Sequence, residues 1–131
     1  MIVLDTHAWL WWLHEPRRLP PRVRQALCKA EKEEGIAVSV ISVWEVATKC
    51  ALGKLTLPMP VEKWFELART YRGIVIEPVT AEDALVSACL PGDFHKDPAD
   101  RIIVALARRL RAPLVTSDNL ILAYPHVTTL W

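Results

Sequence analysis

Strand-like and helix-like segments alternate along this chain and predict a three-layer α/β/α sandwich around a parallel sheet of about five strands. Three observations carry that expectation. The opening Met1-Ile2-Val3-Leu4 is apolar without alternation, as in a strand covered on both faces. Similar runs recur at 36–40, 74–79, 114–116 and 127–130, separated by amphipathic segments. Acids stand where the first and fourth runs end, at Asp5 and Asp118. In open α/β sheets that edge is where ligands bind.

Each element has its own local reason. Thr6 can cap a short helix over 8–13, made unusually aromatic by Trp9, Trp11 and Trp12, and Glu15-Pro16 stops it. After a turn rich in arginine and proline, Val23, Ala26, Leu27 and Ala30 keep helical spacing, and Gly35 closes that helix. Ser42 and Glu45 read as a capping box opening a third helix that Gly53 ends. A proline-punctuated connection leads to a helix over 61–71. Pro78 marks the third strand as an edge strand or a strand end. Thr80 with Asp83 starts a helix through residue 90. Asp97-Pro98 gives an N-cap and a first-position proline to the helix carrying Ile102 to Leu110, with Asp100 in its first turn. Residues 120–123 make a last short helix.

At 131 residues, with 52% hydrophobic and 24% charged side chains, one globular domain over 1–131 is expected. A net charge of +1 provides no bulk basic field, so nucleic-acid binding has to come from a local arrangement. Cys28, Cys50 and Cys89 share no short spacing, which argues against a zinc knuckle or disulfide framework and for reduced, mostly buried thiols. No leader and no membrane-spanning run is evident, so a cytoplasmic chain without membrane contact is expected.

The acids form the sharpest pattern. Asp5, Glu45 and Asp118 belong on the C-terminal edge of a parallel sheet, and Asp100 joins them if its helix runs back along the sheet. Each has an ordinary capping role available. Together they do not, because two carboxylates about 4 Å apart repel by roughly 4 kcal/mol at an effective dielectric of about 20. A gathering of several needs protons or a cation, and hard oxygen donors suit Mg²⁺ or Mn²⁺. Ions held in this way activate water for phosphodiester cleavage.

The segments Ile2-Val3-Leu4-Asp5-Thr6-His7, Ser42-Val43-Trp44-Glu45, His95-Lys96-Asp97-Pro98-Ala99-Asp100-Arg101 and Leu114-Val115-Thr116-Ser117-Asp118 resemble the PIN-domain family. More narrowly they resemble the VapC-type toxins of type II toxin–antitoxin pairs, in order and over nearly the whole chain. The resemblance implies a metal-dependent endoribonuclease on an RNA substrate, leaving 5′-phosphate and 3′-hydroxyl ends. It also implies inhibition by a small cognate antitoxin, and a homodimer. Asp5, Glu45, Asp100 and Asp118 match the family's acidic quartet and are the expected catalytic residues. Asp5 and Asp100 are the expected metal ligands, with Asp118 acting through water or a second ion. Asp97 is expected as helix cap, with support of the metal-ligand acids as its lesser role.

Thr6, His7 and Ser117 neighbour these acids and are candidates for substrate or ligand-supporting contacts. Arg101 is a candidate for pairing with an acid or binding phosphate. Arg108, Arg109 and Arg111 are expected on a solvated face. Exposure of one or two of the clustered tryptophans at 9, 11 and 12, as a partner surface, stands level with full burial. An aspartate-nucleophile phosphatase is disfavoured because His7 occupies the position of its second acid. A catalytically silent RNA-binding or protein-interaction module is the other alternative, and the intact quartet argues against it.

Overall fold

The computed structural model describes residues 1–131. Its order is β1 (Ile2–Leu4), α1 (Thr6–His14), a 3₁₀ turn (Pro16–Arg18), α2 (Pro21–Ala30), β2 (Ile36–Ser39), α3 (Val40–Ala51), α4 (Val61–Ala68), β3 (Ile74–Glu77), α5 (Ala81–Ala88), α6 (Pro98–Leu110), β4 (Leu114–Val115), α7 (Asn119–Leu122) and β5 (Thr129–Leu130). All four strand pairings are parallel, in the order β3-β2-β1-β4-β5. The five-stranded α/β sandwich is therefore the observed architecture, and Pro78 follows an edge strand as expected.

The chain walks outward from β1 through β2 to β3, then returns to lay β4 on the other side of β1. The strand order reverses between β1 and β4, which opens a crevice beyond their C-terminal ends.

Alternation along the strands divides the core into two layers. Ile2, Leu4, Ile36, Val38 and Ile74 face α1, α2 and α4, where Trp9, Val23, Leu27 and Trp64 fill the space. Val3, Ala37 and Leu114 face the other way, onto Ile103, Val104, Leu106 and Ala107 of α6 and Ile121 of α7. Trp9 and Trp12 are buried, while Trp11 is half-buried under Arg18 and keeps part of its surface in solvent. Gly73 has φ +77°, and a Cβ there would stand 2.5 Å from Glu31 Cα, so the approach of the β3 start to the end of α2 requires glycine.

Several local expectations are corrected. Ser39, the last residue of β2, caps α3 by accepting from the Ile41 amide, so Ser42 and Glu45 form no capping box. With no loop between β2 and α3, the helix starts earlier than its sequence signal, and Glu45 falls in its second turn. Asp5 takes the cap expected of Thr6, and α1 begins at Thr6. Cys28 and Cys89 are exposed, not buried.

Arg109 also departs from the solvated face expected of it. Its Nε donates to Asp83 Oδ1 at 2.8 Å and its Nη2 to Oδ2 at 3.1 Å, and Glu77 lies 3.8 Å away. Asp83 is 2% exposed and reciprocally caps α5 with Thr80. Burial alone would raise its carboxyl, but the bonds from Arg109 and Thr80 outweigh that and hold it below the usual range. Asp83→Ala is expected to destabilise the fold by about 2–3 kcal/mol, less than a fully buried pair because Arg109 keeps some water contact. Urea denaturation at neutral pH measures it. The same comparison near pH 3 should show a smaller gap, because a depressed carboxyl loses its contribution as pH falls through its folded value.

Candidate active site

β1 ends into Asp5, which is only 3% exposed. Its Oδ1 accepts from the Thr6 amide at 2.7 Å and its Oδ2 from the Thr116 hydroxyl at 2.7 Å. Thr116 Oγ1 in turn accepts from the Asp118 amide at 3.0 Å. One hydroxyl at the end of β4 thus ties the Asp5 carboxylate to the main chain of Asp118. Asp118 caps α7, its Oδ1 accepting from the amides of Leu120 and Ile121. Neither Thr116 nor Ser42 was a candidate from sequence for this site. The Thr-Ser-Asp ending of β4 was the available signal for Thr116.

Glu45 reaches the same edge from α3. Thr6 Oγ1 lies 2.5 Å from Glu45 Oε1 and 2.8 Å from Ser42 Oγ, and its single proton serves one of them at a time. The Glu45 carboxyl is raised, chiefly by burial, against the opposing bond from Thr6, with Asp5 and Asp97 adding to the rise and Lys49 opposing it.

Asp100 arrives on α6. Asp97 caps that helix by accepting from the Asp100 amide at 3.0 Å, as expected. The Asp100 carboxyl is pushed up to about 7, first by burial and then by the charges of Asp5, Asp97, Asp118 and Glu45. Five acids from four parts of the chain therefore share one field. His95 Nε2 stands 3.0 Å from Asp100 Oδ2, at ion-pair distance but out of hydrogen-bond alignment.

His7 leans on the cluster from α1. Its Nε2 is 2.9 Å from Ser117 Oγ and accepts a long bond from the Ser117 amide, which leaves Nδ1 to carry the proton in the neutral ring. That Nδ1 is 3.7 Å from Asp5 Oδ2. His7 and Ser117 are thus a mutually bonded pair at the rim.

Arg101 is not at the site in the sense expected. Its guanidinium donates to the carbonyls of Ser87, Phe94 and His95, at 2.7, 3.0 and 3.1 Å. It pairs with no acid; it straps the loop ahead of α6 onto the end of α5.

In this arrangement no three acids, histidines or cysteines close round one point as they would round a held cation. The carboxylates turn instead into bonds with their own neighbours. The fit to a metal is chemical: an all-oxygen donor set in which burial and mutual repulsion together raise the Asp100 carboxyl to about 7.

A family model for the PIN domain matches residues 2–126. The chain belongs to the PIN-domain family. Within that family, Ribonuclease VapC22 of Mycobacterium tuberculosis is 35% identical over 133 residues, covering 99% of this chain and 98% of the relative. Two solved structures share the PIN fold. VapBC2 from Rickettsia felis, bound to a DNA fragment from its promoter, has a TM-score of 0.72 at 18% identity, covering 99% and 98% of the two chains. FitAcB from Neisseria gonorrhoeae has a TM-score of 0.66 at 23% identity, covering 100% and 97%.

Two outcomes follow for the metal-free protein. The folded state keeps a proton on Asp100 up to about pH 7, whereas the unfolded chain releases it near 4, so stability is expected to fall as pH rises across that interval. Thermal melts in chelator read this, and Asp5→Asn should flatten the fall by removing the largest neighbouring charge. Separately, Arg101→Ala is expected to cost about 2–3 kcal/mol through its lost charged hydrogen bonds. Hydrogen exchange should quicken in residues 93–97 while β1 amides stay protected.

Proposed function

We propose that the chain is a metal-dependent endoribonuclease acting as the toxin of a type II toxin–antitoxin pair. The observation that carries this reading is the gathering of Asp5, Glu45, Asp97, Asp100 and Asp118 at one edge, where burial and then the neighbouring charges push the Asp100 carboxyl up to about 7. The near full-length likeness to a ribonuclease of the VapC type supports the activity. A structural neighbour from Klebsiella pneumoniae, described as a toxin–antitoxin complex, supports a small antitoxin as partner. The reading also includes an RNA substrate and a homodimer. The reading places that action in the cytoplasm; no helix of the chain is long and apolar enough to cross a membrane.

Asp5, Asp100 and Asp118 would hold Mg²⁺ or Mn²⁺, with Glu45 beside them. When bound, such a cation supplies charge stabilisation for the phosphodiester and a more acidic water. The chain's own residues prepare that chemistry. Asp5 is locked at both oxygens by Thr6 and Thr116, so it keeps one orientation. Asp100 would give up its proton and present a carboxylate to the cation. Glu45, bonded by Thr6 at Oε1, keeps Oε2 free to orient a water or take its proton. His7 and Ser117 form a polar rim where a phosphate oxygen can be met, and Asp97 serves as cap within the acidic field.

Cleavage of RNA should require Mg²⁺ or Mn²⁺ and disappear with chelator, and Asp100→Asn should lower the rate by roughly 10²-fold or more. Gel assays of end-labelled RNA decide this; undiminished cleavage by Asp100→Asn would remove the assignment. Because the cation displaces a proton held up to about pH 7, Mn²⁺ affinity should climb between pH 5.5 and 7 and level off above. Calorimetry in two buffers of different ionisation heat should register about one proton released per cation at pH 6.

A further inference from the structure

One side chain beside the acidic field has no structural occupation. Of the six tryptophans, Trp44 alone is exposed, at 59%. It lies on α3 immediately before Glu45, and with Ile41 and Glu45 it lines a cleft of about 310 Å³ whose other wall is Asp97, Pro98 and Ala99 at the start of α6. The lining shown to solvent is mainly apolar, yet two of its six residues belong to the acidic field. Trp44 therefore presents a large flat apolar surface in a cleft shared with Glu45 and Asp97. Exposing an indole forfeits the burial that Trp9, Trp12 and Trp64 obtain, and core packing gives no reason for it.

The charge at this edge limits what can anchor RNA there. Asp5, Glu45, Asp97, Asp100 and Asp118 repel phosphates, and few cations of this chain stand among them. A stacked base does not feel that penalty, because the attraction is between π-faces and carries no net charge.

We infer that Trp44 is a base-stacking platform: it holds an unpaired base adjacent to the phosphodiester presented to Asp5, Glu45, Asp100 and Asp118. This rests on the ribonuclease reading and adds a positioning residue and a substrate feature to it, namely an unpaired nucleotide at one fixed offset from the cut.

The test uses the full chain with Mn²⁺ and a labelled RNA oligonucleotide spanning a cleavage site mapped in total cellular RNA. Trp44→Ala should raise KM roughly tenfold with a smaller change in kcat, and Trp44→Phe should recover most of the loss. The defect should persist at raised salt, unlike that of a phosphate contact. Replacing nucleotides near the cut one at a time by abasic residues should reveal one position where wild type and Trp44→Ala become equal. A wild-type KM for Trp44→Ala, or no such position, overturns the platform while leaving the nuclease reading intact. So does a change in oligomeric state with Trp44→Ala by sedimentation, which would assign the indole to a contact between copies of the chain. Failure of the wild-type chain to cut any RNA overturns the ribonuclease reading and the platform with it.

Discussion

Mutual repulsion among carboxylates is the constraint around which the rest of this molecule is arranged. Bringing five acids to one edge costs several kcal/mol in a medium drier than water. The fold meets that cost locally. Asp5 and Asp118 accept bonds from helix-start amides, Asp97 accepts the Asp100 amide, and Glu45 has the Thr6 hydroxyl. Asp100 receives no comparable donor hydrogen bond, and burial together with the neighbouring charges pushes its carboxyl up to about 7. Helix N-termini are the natural seats for such acids, since free amides and the positive dipole end converge there. A parallel sheet with helices returning to one edge supplies several such seats together, so the architecture and the site come from the same rule.

Much of this was legible in the residues. Unbroken apolar runs between amphipathic ones led to the parallel sheet, and acids after strands led to the edge where they meet. Asp97-Pro98 correctly announced α6. What sequence could not resolve was which local option wins when several are available. Ser39 and Ser42 both suit an N-cap, and only the abrupt passage from β2 to α3 chooses Ser39. That choice releases Ser42 and Glu45 from capping and turns them toward Thr6, so a small register error concealed a site contact. Thr116 was hidden for a related reason: a threonine ending a strand is ordinary until its hydroxyl is seen between two acids.

The arginines teach the same lesson about charge. Arg101, beside Asp100 in sequence, is led away from it by three carbonyls, and Arg109 passes from an assumed solvated face to a bidentate grip on Asp83. A guanidinium has five donors in a fixed fork and goes where several acceptors converge, which adjacency along the chain does not reveal. Trp44 is the reverse case. It sits inside a motif quoted for its glutamate, and only its exposure in the fold separates it from the other five indoles.

The two-layered core gives the site a property beyond its chemistry. Asp5 hangs from the middle strand, Glu45 from a helix whose Val46 belongs to one apolar layer, and Asp100 from a helix that builds the other. The acids are neighbours only while both layers are seated. Loosening either one separates them and relieves their repulsion, so the unfilled site acts as a spring that favours opening. A ligand that bridges the acids reverses that force and tightens sheet and both helical layers at once. Occupancy of a few cubic ångströms at the edge is thereby felt by the cooperativity of the whole chain.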